Sequence, residues 1–240
     1  MAFLRTMRRL LMVALIVSIG ATILLVYFVP RMAREDLPWT PLDLDAPIGR
    51  ATAGKIARLD GANCRPLLDR AGIAYRTLPD RKQAACGFDD AITLTKSGRG
   101  ARYAPSAPAL ACPLGAALSV WERRVVQPAA EQHFGARVAR IDHFGTYACR
   151  RMYGRTTGNW SEHSRARAID IAGFVLSDGR RITVAADWKR DGPRGQFLHD
   201  VRDGACRLFA TTLSPDYNAA HRDHFHLDEA QRGGLWTACR

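Results

Sequence analysis

Hydrophobic and polar positions divide the chain into three regimes. Residues 10–29, LLMVALIVSIGATILLVYFV, are apolar on every face and carry no charge. About 20 such residues at about 1.5 Å rise match a bilayer core of about 30 Å, so the pattern predicts a membrane anchor. Arg5, Arg8 and Arg9 precede it. By the positive-inside rule, residues 1–9 are then a cytoplasmic tail and the rest of the chain lies outside. The exit, YFVPRMARED, lacks the small-residue pair of a cleavage site, so the anchor is expected to stay attached. Residues 30–50 contain LPWTPLDLDAPIG, proline-rich and without helical period, and read as a linker. Residues 51–240 suit one domain with one core.

Within that domain the period changes repeatedly. CRPLLDRAG predicts a short helix, and SGRGARYAPSAPA a Gly/Pro/Ser-rich stretch. PLGAALSVWERRVVQPAAEQHFG reads as an amphipathic helix starting after Cys112. Pro113 sits where proline is tolerated, and Pro128 is placed to kink or divide the helix. ARVARIDHFG alternates as a strand, and RAIDIAGFVL with RRITVAADW flank SDGR as a hairpin. QFLHDVRDGACRLFATTL has a helical pattern. DHFHLD alternates as a short strand with His224 and His226 on one face. Together these predict an α+β domain, a small antiparallel sheet with flanking helices, whose functional core spans about 110–240.

Charge and cysteines narrow the setting. The chain has 35 basic and 23 acidic residues, net +12. The basic residues are scattered, with no run of five, and an exported domain meets little nucleic acid. Nucleic acid is therefore not an expected partner; lipid headgroups and wall polymers are the polyanions such a domain meets. All six cysteines follow the anchor and none forms C-x-x-C, which points to disulfides rather than a zinc ribbon or thioredoxin-type site. Pairing between near neighbours is expected: Cys64–Cys86, Cys112–Cys149 and Cys206–Cys239.

The candidate chemistry lies in HRDHFHLD, which holds His221, His224 and His226 among only seven histidines in the chain. Two imidazoles on one strand face make a partial metal site, and catalytic zinc usually takes three protein ligands plus water. SEHSRARAIDIAGF offers His163 and Asp170. Asp170 lies between Ile169 and Ile171 in an apolar strand, where a carboxylate needs a partner, either a metal or one of the arginines. His133, His143 and His199 have no completing pattern and read as structural or exposed. Trp121 and Trp160 read as core or groove packing.

H-x(6)-D followed by H-x-H resembles the zinc signature of the group that includes lysostaphin-type peptidases, D-Ala-D-Ala metallopeptidases and the hedgehog domain. HRDHFH is similar in spacing to penicillin-insensitive murein endopeptidases. GTYACRRMYGR, SEHSRARAIDIAGF and DYNAAHRDHFHLD, in that order over roughly 55–240, resemble the bacterial extensin-like C-terminal family. The resemblance implies zinc held by His163, Asp170 and His226. It implies that His224 acts on the bound water or the tetrahedral intermediate, that His221 is a further active-site histidine and that Arg150 binds substrate. Ala166 replaces the usual glycine of the His163 box. Asp223 stands where many D-Ala-D-Ala enzymes have a glutamate base, which leaves the base open among His224, Asp223 and His221. Glu162 and Asp228 are candidates to orient ligands. The implied function is a zinc peptidase acting on D-amino-acid stem peptides of peptidoglycan, anchored in the cell inner membrane with its domain in the periplasm. The alternative is a zinc-containing module that binds wall or protein without hydrolysis.

Overall fold

The computed structural model describes residues 2–28, 31–95, 100–230 and 237–240. Val29 and Pro30, at the expected junction of anchor and linker, lie outside the described residues, as do residues 97–99 of the Gly/Pro/Ser-rich stretch. Helix α1 runs Ala2–Phe28, and its stretch Phe3–Phe28 is long and apolar enough to cross a membrane. The helix begins well before Leu10, because Leu4, Met7 and the arginines of the tail are themselves good helix formers.

The stretch read as a linker lies against the domain. Leu37 and Leu44 are buried, Arg50 N donates to Asp36 Oδ1 at 2.7 Å, and Arg123 bonds both Asp45 and the Leu44 carbonyl. Two short helices follow, α2 at Thr52–Ala57 and α3 at Gly61–Arg70. Asp60 and Asn63 cap α3 reciprocally, satisfying amides that the first turn leaves free. Six short strands come next: β1 (Tyr75–Thr77), β2 (Arg81–Gln83), β3 (Cys86–Phe88), β4 (Ala91–Leu94), β5 (Arg102–Ala104) and β6 (Leu110–Ala111). β1, β4 and β6 form one small sheet, and β2 with β3 forms a hairpin.

The long helix after Cys112 is divided, as Pro128 foretells. α4 (Cys112–Trp121) and α5 (Gln127–Phe134) are joined by a π-helical turn at Glu122–Val126. A proline clashes with the carbonyl four residues back and cannot donate to it, and a wider turn accommodates both defects. Every residue of α4 is buried. Amphipathicity belongs only to α5, which is exposed at Pro128, Glu131 and Gln132.

The main sheet is built from β5 and six later strands: β7 (Val138–Gly145), β8 (Ala168–Leu176), β9 (Arg181–Thr183), β10 (Thr211–Leu213), β11 (Phe225–Asp228) and β12 (Ala238–Cys239). Its order is β12-β10-β11-β8-β7-β5, with β9 also pairing β8. The central pairings are antiparallel, while β5–β7 and β10–β12 are parallel. Two further helices, α6 (Val184–Asp187) and α7 (Pro193–Cys206), complete the domain. The core forms where α4, α5 and α7 meet the sheet. Trp121 sits 6.1 Å from Phe174 and 6.2 Å from Phe209, ring centre to ring centre, and its Nε1 donates to the Val201 carbonyl at 3.0 Å.

Three expectations are corrected. The strand read across RRITVAADW stops at Thr183, whose hydroxyl accepts from Ala186 N and so starts α6. The helix read across QFLHDVRDGACRLFATTL ends at Cys206, and its last residues are strand β10. The disulfides are Cys64–Cys112, Cys86–Cys149 and Cys206–Cys239, so only the last near-neighbour pair forms. Packing overrides proximity in sequence: α3 lies on α4, which brings Cys64 to Cys112 at 6.1 Å between Cα atoms.

Candidate metal centre

The antiparallel register of β8 and β11 sets His226 directly opposite Asp170. Cross-strand partners project to the same side of a sheet, so the two side chains meet. Ile169 and Ile171 turn to the core, and Asp170 emerges on the other face. His163 arrives from the one-turn helix Glu162–Arg165, whose N-cap Ser161 accepts from His163 N. Ala166 closes that turn in the left-handed region, φ +54°, with its N–H donating to the His163 carbonyl. This conformation suits glycine best, which has no Cβ to clash, and alanine is the next smallest side chain.

The three donor atoms converge. His226 Nδ1 lies 2.9 Å from Asp170 Oδ1, and His163 Nε2 lies 3.2 Å from both Asp170 Oδ1 and His226 Nδ1. The outward nitrogens determine what faces inward. His163 Nδ1 donates to the Thr146 carbonyl at 3.0 Å, and His226 Nε2 donates to Asp228 Oδ2 at 3.0 Å. In the neutral tautomers so selected, His163 Nε2 and His226 Nδ1 carry lone pairs. Two imidazole lone pairs and a carboxylate oxygen therefore meet, which is stable only with a cation or a proton among them. A tetrahedral ion with bonds of about 2.0–2.1 Å would space its ligands by about 3.3 Å, close to the separations found. These residues could hold a divalent cation. Burial opposes charge on both partners, but the hydrogen bonds win. Those of His163 and His226 hold the Asp170 carboxyl well below its usual range, and those of Asp170 and Asp228 raise His226 to about 9, so without a cation the proton among the three sits on His226 at neutral pH and a metal would have to displace it to bare Nδ1.

Around this triad the other expected residues take different places. His224 precedes β11, with Nε2 3.6 Å from Asp170 Oδ1. Its Nδ1 donates to Asp223 Oδ1 at 2.9 Å, so Asp223 orients His224 rather than facing the triad itself. His221 is buried and its Nδ1 donates to Asn218 Oδ1 at 2.8 Å. Burial, followed by the charges of His224 and His226, lowers its pKa to about 4. Arg150 is exposed and, among the described residues, has no hydrogen bond or ion pair with the triad; it acts on His221 as a distant positive charge. Its loop is braced by the Cys86–Cys149 disulfide and by Ala148 N donating to the His163 carbonyl. Asp142 is engaged by Arg140 and Arg181. Asp228 both orients His226 and closes a turn, accepting from Ala230 N.

The remaining histidines are structural. His133 pairs with Asp200, His143 bonds the Ser106 carbonyl and His199 stacks on Trp188. Trp121 is core, while Trp160 is half-buried beneath Arg151. Sequence reasoning missed the aromatic rim. Phe144 is 62% exposed and meets His224 edge-on, Tyr217 meets His221, and Tyr153 shares a hydroxyl contact with Tyr217. It also missed Thr146, which contributes through its carbonyl and leaves no residue-type signal. Asn218 was legible in principle as a cap residue three positions before His221.

The centre is thus a two-histidine, one-aspartate triad on a sheet face with an Asp–His pair beside it. A model of the Extensin-like protein C-terminus family matches residues 62–240, and the chain belongs to that family. No curated protein and no solved structure that was searched matches the chain.

Proposed function

We propose that the protein is a zinc-dependent peptidase acting on D-amino-acid stem peptides of peptidoglycan, held to the inner membrane by α1 with its domain in the periplasm. The observation that carries this reading is the meeting of bare His163 Nε2, His226 Nδ1 and Asp170 Oδ1, whose outward hydrogen bonds suit them to a cation. Two imidazoles and one carboxylate are a donor set that zinc accepts. When bound, zinc would lower the pKa of water toward about 7 and polarise an amide carbonyl.

The chain's own residues supply the remainder. Asp223 accepts from His224 Nδ1, which leaves Nε2 free beside the triad to take a proton and return it to a leaving amine. His221, held neutral at pH 7 by burial, offers a second basic nitrogen nearby. Arg150 attracts the carboxylates of a stem peptide. Phe144, Tyr153 and Tyr217 supply apolar surface against which the peptide can lie.

One observation favours a second reading, a zinc-containing module that binds wall peptide or a protein without cutting it. The carboxylate of Asp223, one of the expected bases, is engaged by His224 Nδ1 instead of standing free at the triad. Incubating the zinc-loaded full chain with peptidoglycan fragments and weighing the products by mass spectrometry decides between them. Cleaved stem peptides support the peptidase. Zinc binding and fragment retention with no product would move the conclusion to the binding module.

A further inference from the structure

Among the described residues, the exposed large apolar side chains outside α1 fall into two groups. Phe144, Met152, Tyr153 and Tyr217 rim the candidate metal centre or its neighbouring loop. Met32 and Trp39 lie instead in the segment that joins α1 to the domain. Trp39 is 68% exposed, yet it is not on a loose tether. It sits on a turn in which Thr40 Oγ1 donates to the Leu37 carbonyl at 2.9 Å and also contacts the Arg34 carbonyl. Beneath the turn, the buried Lys55 donates through Nζ to Thr40 Oγ1 at 2.8 Å and to the Arg34 carbonyl at 3.3 Å. Leu37 and Leu44, flanking the turn, are buried in the domain. The fold therefore holds an indole outward on a rigid support. A single exposed aromatic is ordinary on a protein surface; what distinguishes Trp39 is this support and its position next to the exit of α1.

Chain length indicates what covers it. α1 ends at Phe28, and Arg34 opens the one-turn helix Arg34–Asp36 that is tied to the domain. Six residue steps of at most about 3.3–3.6 Å reach about 20 Å. The headgroup layer extends roughly 5–8 Å beyond the hydrocarbon on each side. A spanning α1 thus keeps Arg34 within about 20 Å of the hydrocarbon edge, close enough for the Trp39 turn to reach that layer. The exit of α1 carries a matching set of groups. Tyr27 and Phe28 meet edge-on at 5.3 Å, and the Arg31 guanidinium lies 3.8 Å over the Tyr27 ring. Aromatic rings with an apolar body and a polar edge prefer the membrane–water boundary, and exposed Arg31 and Arg34 favour anionic headgroups.

We infer that Trp39, with Met32, is seated in the phospholipid headgroup layer of the membrane that α1 crosses, docking this face of the domain on the bilayer. The inference rests on the proposed reading of α1 as a retained span. It makes the domain a body held at one height above the membrane instead of one swinging on a flexible linker.

The test uses the full chain and Trp39→Tyr, each reconstituted in vesicles of phosphatidylcholine with phosphatidylglycerol. Companion vesicles carry lipids brominated at shallow or deep acyl positions. The emission difference between the two proteins isolates Trp39. The expected result is loss of that difference emission in brominated vesicles, more strongly with shallow bromines. Difference emission that is unquenched and typical of an indole in water overturns the docking. Carbonate washing of the same vesicles separates the two layers of the argument. Protein that stays bound with Trp39 unquenched removes only the docking inference, whereas protein that washes off removes the span and the docking with it.

Discussion

Two outward hydrogen bonds, His163 to the Thr146 carbonyl and His226 to Asp228, decide which ring nitrogens of the triad are bare. Orienting partners of this kind typically change metal affinity by about 10–100-fold when altered. Asp228→Asn is therefore expected to weaken zinc by about that factor, measured by competition with a chelating dye. His226→Ala should lose zinc and hydrolysis together. His224→Ala should keep the metal while hydrolysis falls about 10²-fold or more, as for loss of a positioned acid–base group. Equal metal loss in both histidine variants would mean that their roles are misassigned. A different residue governs stability. Glu229 is fully buried and, among the described residues, neither carboxyl oxygen has a hydrogen-bond partner. Burial, with the Asp228 charge adding to it, pushes its pKa well above 4.5. Between those two values the folded chain binds a proton that the unfolded chain has lost. Stability contributed below pH 4.5 is thus given up as pH rises, by about 1.4 kcal/mol per unit until the folded value is passed. Glu229→Gln should flatten that decline in denaturant midpoints measured from pH 4.5 to neutrality. Parallel parent and variant profiles would sink the argument.

At the scale of elements, the turn Glu162–Arg165 and the loop after β7 carry His163 and its carbonyl partner, and their geometry is set from outside the triad. Ala166 at φ +54° tolerates the left-handed region, but a β-branched side chain would strain it by about 1–3 kcal/mol. Ala166→Val is expected to lower stability by about that amount and to weaken zinc, since His163 rides on the same turn; calorimetry and metal titration read the two effects. The disulfides close segments of 48, 63 and 33 residues, each worth about 4 kcal/mol in a chain-entropy account. Only Cys86–Cys149 braces the loop that places Thr146 and Arg150. Replacing that pair with serines should reduce zinc affinity more than replacing Cys64 and Cys112, although both changes destabilise. If metal affinity falls equally in the two variants, the bracing role is wrong. The Pro128 division of the long helix was legible because a missing N–H and a ring clash are properties of one residue. The end of the strand at Thr183 was less so, since a threonine serves equally well inside a strand or as a helix cap.

For the whole molecule, α1 is exposed and, from Leu10 to Phe28, apolar on every face, which water does not favour. The expected outcome is carbonate-resistant membrane association, with Met1 or Ala2 as the N-terminus of the isolated protein by intact mass. A mature chain starting after Phe28 would show that the segment is a cleaved leader. The α+β class, the existence of β7, β8 and β11 and the apolar N-terminal helix were readable from the chain, because each depends on local periodicity; His163, Asp170, His224 and His226 stood out by residue type and spacing, while the choice of His226 over His224 as a ligand came from the family resemblance. The Cys64–Cys112 and Cys86–Cys149 pairings, the Asp170–His226 register, the Thr146 carbonyl, the aromatic rim and the docking of residues 34–50 were decided only in three dimensions. Most of these join segments far apart in the chain, and no local pattern encodes which distant surface a segment will meet. That choice follows from burying α4 against the sheet and α3, a property of the assembled core rather than of any stretch of sequence.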